Sequence, residues 1–220
     1  VSRYAKARPL SKTQQKAVEQ ALSESFSVTR KEDYDFAGLS QFDALLPGNE
    51  EVFRSLAWNA YRKGGALEEL QPDHKAGKVV SGEYVSPYVV RPVGKKPEGG
   101  WPLVIAMHGG GNAPKQVNDQ QWGIMQRYYK DHPGDGGYLY LALRAPTDAW
   151  NGFYTGYVYP LVARLIRQML VCEEVNPDKV FLIGYSHGGY GAFAIGPKMA
   201  DRFAAIHSSA AAPTDGGSSP

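Results

Sequence analysis

Cysteine is nearly missing from this sequence, and an excess of one charge and long apolar segments are missing too. Cys172 is the only cysteine in 220 residues, so no internal disulfide can form and the thiol is expected to be buried. The 24 basic and 22 acidic side chains nearly cancel, which gives no indication of a nucleic-acid partner. The longest apolar run, 161–171, is interrupted by Arg164, Arg167 and Gln168 and is shorter than the ~20 residues of a membrane helix.

Ligand motifs are also absent. No spacing of histidine and cysteine typical of a zinc site occurs, and no cofactor motif occurs, so we expect a chain that uses neither a metal nor a cofactor. The composition, with 43% hydrophobic and 21% charged residues, is typical of a soluble globular enzyme. The compartment stays open between secreted, periplasmic and cytoplasmic.

One motif indicates chemistry. Residues 180–188 read Val-Phe-Leu-Ile-Gly-Tyr-Ser-His-Gly, an apolar run that leads into Gly-x-Ser-x-Gly. Between a strand and a helix, this pattern places a serine on a sharp turn with its hydroxyl exposed for nucleophilic attack. A bare match is common, but here a predicted turn at 176–179 precedes a short strand at 180–183, and a glycine-rich helix start follows. We therefore predict Ser186 as a nucleophile.

A second motif follows another apolar run. Residues 101–107 predict a buried strand that ends in the His-Gly-Gly-Gly sequence 108–111. Successive glycines allow backbone N–H groups to turn toward an anion at close range. A second donor is expected from the residue after the nucleophile, the amide of His187.

On these two motifs and the strand, helix, strand order between them, residues 79–212 resemble the α/β-hydrolase superfamily. The similarity is to the esterase branch, which includes polyhydroxyalkanoate depolymerases, feruloyl and acetylxylan esterases and related predicted peptidases. The resemblance implies an acyl-enzyme mechanism in which Ser186 attacks an ester carbonyl and water then releases the acid. It implies that the amides of Gly110 and His187 hold the oxyanion, with Gly109 as the alternative glycine, and the sequence does not decide between the two glycines. It also implies a small-molecule or polymer-linked ester as the partner, and no cofactor.

The resemblance further implies a catalytic triad in the chain order serine, acid, histidine. Only 34 residues follow Ser186, enough for a helix to about Arg202 and a strand at 203–208. We therefore expect the C-terminal strands of the fold to be absent, and the acid and histidine to come from a C-terminal remainder of the same protein. Asp201 and Asp215 do not follow the strand that the triad acid normally follows, and neither is assigned.

The histidines within the chain have other expected roles. The His187 side chain is expected to point away from the serine hydroxyl that it neighbours in sequence. His207 lies at a predicted strand end, where a locally bonded histidine or a wall position of the site is expected. His108 is expected to orient the glycine loop through its ring. His74 and His132 occur among polar, loop-like residues and are predicted on the solvated surface.

The order of elements predicts an α/β fold of the α/β-hydrolase type, with a mostly parallel sheet flanked by helices. Near-continuous apolar runs at 101–107, 138–143 and 180–183 predict parallel strands buried on both faces. Helices are predicted between them at 119–129 and 157–171, which gives the alternation of a parallel sheet.

Residues 1–75 are predicted to form a helical extension that packs on an α/β-hydrolase domain of residues 76–220. A capping box at 11–14 starts a first amphipathic helix. Asn49 opens a second helix, which Gly64 is expected to stop.

An aromatic loop follows the strand at 138–143, at the end of the sheet where open α/β folds bind ligands. Its residues Trp150, Phe153 and Tyr154 are predicted to line an acyl pocket, although simple packing explains such a loop equally well. Two other functions stay open beside an esterase. One is a serine peptidase on the same scaffold, and the other is a catalytically inactive binding protein.

Overall fold

The structure is a computed structural model that describes residues 8–213. The chain divides into two compact units, one ending at Pro72 and one beginning at Asp73. The predicted boundary after residue 75 and the predicted packing of the first part on the second stay predictions. The outermost ends of both predicted domains, and Asp215 with them, lie outside the described residues.

In the first unit, helix α1 (Lys12–Ser25) packs against helix α2 (Glu50–Lys63). The predicted capping box is confirmed, because the Ser11 hydroxyl accepts the Gln14 N–H at 3.2 Å and the Gln14 side chain accepts the Ser11 N–H at 2.9 Å. Two 3-10 helices, Lys31–Asp33 and Ala37–Leu45, lie between α1 and α2 in the chain. The buried residues Val18, Leu22 and Ala60 form a small hydrophobic cluster of this unit.

The described residues of the second unit contain one six-stranded sheet. Its strands in chain order are β1 (Lys78–Ser81), β2 (Tyr84–Val93), β3 (Trp101–Met107), β4 (Tyr138–Leu143), β5 (Val175–Tyr185) and β6 (Ala205–Ser209). Their order in space is β1-β2-β4-β3-β5-β6. Strand β2 is antiparallel to β1 and β4, and the other neighbours are parallel. The predicted class, a mostly parallel sheet flanked by helices, is confirmed.

Helices cover both faces of this sheet. They are α4 (Lys115–Tyr128), α5 (Val158–Cys172) and α6 (His187–Lys198), with α3 (Gly65–Lys75) before β1 and short 3-10 helices at Pro133–Asp135 and Ala200–Arg202. Because side chains alternate along a strand, Leu103 and Ile105 of β3 join the core with residues of α5 and α6, whereas Val104 and Ala106 pack with Met125 of α4. The ends of β3 and β5 are thus held rigidly between two layers.

The turn predicted at 176–179 is wrong, because these residues lie inside β5. A local hydrogen bond typical of a turn is nevertheless present, since the Asn176 side chain accepts the Asp178 N–H at 2.9 Å. The strand accommodates this local loop as an irregularity where its pairing with β3 shifts register. Pairing on both sides of the irregularity therefore outweighs the local turn preference.

His74 is not on a solvated loop as predicted; it lies near the C-terminal end of α3, and its side chain is 15% exposed. Its Nδ1 is 2.8 Å from the Tyr88 hydroxyl, and its Nε2 is 2.8 Å from a Glu173 carboxylate oxygen. The Gln168 side chain also donates to the Tyr88 hydroxyl, at 2.7 Å. These partners come from β2 and from the end of α5, so the residues around His74 could not reveal them.

Within residues 8–213, no helix combines the length and the apolar character that a membrane crossing requires. Cys172 is half-buried, and burial raises the pKa of its thiol to about 11. The reactive thiolate is therefore disfavoured at neutral pH.

Candidate active site

Ser186 joins β5 to α6 in a backbone conformation that residues other than glycine rarely adopt. Its φ is +52° and its ψ is −115°. Its N–H donates to the Ser209 carbonyl at 2.9 Å, and its own carbonyl accepts the Tyr190 N–H at 3.0 Å. Strained residues persist only where surrounding contacts hold them, and they cluster at functional sites. The arrangement of strand, sharp turn and helix is that of a nucleophile elbow.

The two glycines that flank the serine in the motif, Gly184 and Gly188, have no room for a side chain. A Cβ at Gly184 would collide with the carbonyl group of Gly188, and a Cβ at Gly188 would collide with the carbonyl group of Met107. Backbone atoms cannot rotate away as a flexible side chain can. With any residue other than glycine at 184 or 188, the start of α6 could not approach β3 and β5 this closely.

The glycine loop, residues 108–111, lies beside the elbow because β3 and β5 are parallel neighbours and end at the same edge of the sheet. The Gly188 N–H donates to the His108 carbonyl at 2.9 Å and joins the two segments. A Cβ placed on Gly109 would be 3.6 Å from the Cβ of Ser186. The two motifs, distant in sequence, are therefore in direct contact.

His108 holds the glycine loop through its imidazole ring. Its Nε2 is 3.0 Å from the Ala145 N–H and must accept from it, so Nδ1 carries the proton and donates to the Gly109 carbonyl. Burial lowers the pKa of His108 to about 4, which keeps the ring neutral as this pairing requires. The expectation that His108 orients the loop is confirmed.

The backbone donors predicted for the oxyanion hole have no partner in the part of the chain that the structure describes. Within residues 8–213, no acceptor is hydrogen-bonded to the N–H groups of Gly109, Gly110 or His187. The His187 N–H is the first of α6, and the first N–H groups of a helix have no partner within it and favour an anion. Unpaired donors therefore lie beside Ser186, while their assignment to an oxyanion hole stays a prediction.

Three features of the second unit decide its fold: the strand order, the serine elbow after β5 and the glycine loop after β3. The second unit has an α/β-hydrolase fold. No protein-family model and no curated protein matches the sequence.

Several solved structures resemble this α/β-hydrolase fold. One is a thermostable esterase, 22% identical over 59% of this chain, with a TM-score of 0.42. Another is an acetyl xylan esterase from Aspergillus awamori, 15% identical over 55% of this chain, with a TM-score of 0.37. A third is FphF, a fluorophosphonate-binding serine hydrolase of Staphylococcus aureus, 12% identical over 55% of this chain, with a TM-score of 0.37.

This chain spans 38%, 45% and 55% of the length of those three structures, respectively. The TM-scores are low, so the fold assignment rests on the strand order and the elbow of this chain.

The His187 ring lies in an aromatic cluster and is not hydrogen-bonded to the serine. Its centroid is 5.8 Å from that of Trp150, 5.0 Å from Phe153 and 6.2 Å from Tyr154. The ring is fully buried, and burial lowers the pKa of His187 to about 4. The Trp150 backbone counteracts part of this shift. Among residues 8–213, neither ring nitrogen has a hydrogen-bond partner.

A His187→Phe variant is expected to be more stable than the natural protein, with a gain that grows as the pH falls. Phenylalanine removes two buried unpaired nitrogens, a change worth ~1–3 kcal/mol. Because the pKa of His187 is about 4 when folded and 6.5 ordinarily, the unfolded chain binds the proton more tightly between these values. The natural protein therefore keeps its stability above this window and loses it as the pH falls through the window.

Urea unfolding at about pH 7.5 and about pH 5 measures this effect. His108 titrates in both proteins, so the main part of its contribution, which comes from burial, cancels in the comparison; the smaller part that the charge of His187 contributes is lost in the variant. A His187→Phe protein with the same pH dependence as the natural one would contradict the prediction.

Two of the three residues predicted to line an acyl pocket are core residues. Phe153 is 0% exposed and Tyr154 is 2% exposed, both within the main hydrophobic cluster. Trp150 is partly exposed and stacks on the His187 ring. Of the three, Trp150 is therefore the residue with surface left for a substrate, and the pocket itself stays a prediction.

The other candidate acid and base residues lie elsewhere. Within residues 8–213, no histidine or carboxylate is hydrogen-bonded to the Ser186 hydroxyl. His207 lies on the exposed part of β6, and its Nε2 is 3.4 Å from the Ser209 hydroxyl, which agrees with a locally bonded strand-end histidine. Asp201 is exposed and pairs with Arg202, whereas His132 lies in an exposed loop.

Three polar residues that no sequence motif singled out hold the glycine loop: Asn118 of α4, and Arg144 and Asp148 of the loop after β4. Asn118 is 1% exposed and Arg144 is 5% exposed. Arg144 follows directly after an apolar strand, which is a weak signal of a buried charge. No sequence pattern, however, pairs these three residues with one another or with the loop.

Proposed function

We propose that this protein hydrolyses carboxylic esters through an acyl-enzyme formed on Ser186. The observation that carries the proposal is the contact between the serine and the glycine loop, with the Cβ position of Gly109 only 3.6 Å from the Ser186 Cβ. The nucleophile and the unpaired N–H groups can therefore act on the same carbonyl group. The N-terminal end of α6 adds a dipole that favours developing negative charge.

In the proposed reaction, the Ser186 oxygen attacks the ester carbonyl carbon while its proton passes to a general base. The carbonyl oxygen becomes an oxyanion, which the N–H groups of Gly109 or Gly110 and of His187 stabilise. Breakage of the ester C–O bond releases the alcohol, which takes the proton from the base. Water then attacks the acyl-enzyme by the same route and releases the carboxylic acid.

The general base and the acid that orients it are proposed to come from a C-terminal remainder of the same protein. Both ring nitrogens of His108 are occupied by backbone partners, and the His187 ring is enclosed by aromatic side chains. Neither ring is therefore free to take the serine proton. His207 already has a local partner on its own strand.

The proposed substrate is a small-molecule or polymer-linked carboxylic ester. The proposed chemistry uses neither a metal nor a cofactor, since backbone N–H groups stabilise the oxyanion. Trp150 is partly exposed and stacks on the His187 ring, next to the nucleophile in sequence, and it is the proposed contact for the acyl group. The helical part, residues 1–75, is proposed as an extension of this enzyme.

Labelling with a fluorophosphonate tests the proposal on the complete natural polypeptide. We expect intact-mass spectrometry to detect one adduct, which Ser186→Ala abolishes. An adduct that persists in Ser186→Ala, or no adduct on the natural protein, would contradict a nucleophilic Ser186, and the second result favours an inactive binding protein. A p-nitrophenyl ester and a p-nitroanilide of the same acyl group then separate an esterase from a serine peptidase, because the first substrate tests cleavage of an ester bond and the second tests cleavage of an amide bond.

A further inference from the structure

Asn118 makes three hydrogen bonds from its buried position in α4 to the glycine loop and its surroundings. Its Oδ1 accepts the Gly111 N–H at 2.8 Å. Its Nδ2 donates to the Ala113 carbonyl at 2.9 Å and to the Asp148 carboxylate at 3.0 Å. The amide side chain therefore uses both its donor and its acceptor atoms, and its orientation is fixed.

Asp148 holds Asn112, the residue that directly follows the glycine loop. Its backbone carbonyl accepts the Asn112 N–H at 2.7 Å, while its carboxylate accepts from Asn118 and from the Arg144 guanidinium. One residue thus fixes the loop backbone directly and fixes Asn118 through its side chain.

Arg144 is a buried cation whose charge is balanced by two carboxylates. Besides Asp148, it donates to Asp119 at 3.1 Å and to the Ala145 carbonyl at 2.9 Å. Lys115 and, to a smaller extent, Arg144 lower the pKa of Asp119 and keep it charged. Removing one partner of a buried charge leaves the other unpaired, so these residues are expected to hold their positions as a group.

The loop backbone requires such support. Three successive residues have positive φ: Gly110 at +107°, Gly111 at +80° and Asn112 at +48°. A Cβ on Gly110 would lie 2.5 Å from the Asn118 Oδ1. An unsupported glycine segment would sample many conformations, and each hydrogen bond from the surroundings reduces that freedom.

We propose that Asn118, Asp148 and Arg144 form a clamp that selects the oxyanion donor by occupying the competing amides of the glycine loop. The clamp occupies the N–H groups of Gly111 and Asn112, so the N–H groups of Gly109 and Gly110 remain to face the oxyanion. This inference rests on the proposed function. The three residues are positioning residues, because they act on the reaction through the loop.

Kinetics of the complete natural polypeptide with a p-nitrophenyl ester test the clamp, together with inhibition by a trifluoromethyl ketone. The ketone forms a charged tetrahedral adduct with a nucleophilic serine, so its inhibition constant reports on the oxyanion donors. For Asn118→Ala we expect kcat to fall ~100-fold, the typical effect of losing one such donor, with KM within about 3-fold of the natural value. We expect the ketone inhibition constant to rise by about the same factor as kcat/KM falls.

Gln120→Ala, an exposed change on the same helix, is the control and should leave kcat, KM and ketone inhibition unchanged. A folded Asn118→Ala protein with natural kcat and natural ketone inhibition would overturn the clamp. If Asn118→Ala does not fold, Asn118→Leu is judged by the same criteria, because leucine fills a similar volume and also removes the acceptor of the Gly111 N–H. A natural protein that reacts with neither the ester nor the ketone would instead overturn the proposed function.

Discussion

Ser186→Ala is expected to lower kcat for ester hydrolysis by ~10⁵-fold, since the serine oxygen forms the acyl bond and no neighbouring atom replaces it. Alanine keeps the Cβ that already occupies the elbow, so the fold should be retained. Steady-state kinetics with a p-nitrophenyl ester on the complete natural polypeptide measure the effect. The matched control is Ser55→Ala, which removes an exposed hydroxyl from α2 and should leave the rate unchanged.

A Ser186→Ala protein that keeps most of the natural rate would show that another nucleophile acts. Ser186→Gly offers an independent check on the strain at the elbow. Glycine adopts a φ of +52° freely, so this variant should be inactive and yet more stable by ~1 kcal/mol in urea unfolding. A loss of stability in Ser186→Gly would contradict the assignment of strain to this residue.

Gly188→Ala is expected to destabilise the protein by ~3 kcal/mol or more and to abolish fluorophosphonate labelling. The added methyl would collide with the backbone carbonyl of Met107, and only a displacement of α6 from β3 can relieve that contact. Such a displacement also moves the serine away from the glycine loop. Urea unfolding measures the first effect, and intact-mass spectrometry after labelling measures the second.

Gly123→Ala is the matched control for this substitution. A Cβ at Gly123, inside α4, meets no heavy atom within 4 Å apart from its chain neighbours and the nearby backbone of its own helix, so the same chemical change should stabilise the protein by ~0.5–1 kcal/mol. Equal effects of the two glycine substitutions would contradict the close approach of α6 to β3.

The strands and helices with strong local signals could be predicted from the sequence. The strand predicted at 138–143 agrees with β4, and the helix predicted at 157–171 agrees with α5 within one residue. The spacing of apolar residues within each segment is enough to predict these elements, because a strand or helix with one or two buried faces repeats its apolar residues at a characteristic interval. The predictions for 176–179 and His74 are wrong because pairing with β3 and contacts from β2 and α5 decide those segments.

The sequence by itself determined the nucleophile elbow, the glycine loop and the sheet class, since these depend on residue types in a short order. Only the tertiary structure decided that the glycine loop lies beside the serine elbow, that the His187 ring is enclosed by aromatic side chains, and that Asn118 bonds to the glycine loop. The physical reason is that parallel strands bring together chain ends that are far apart in sequence. Whether two such segments form a hydrogen bond depends on the distance and angle between their atoms in the folded chain, and the order of residues within one segment does not indicate either.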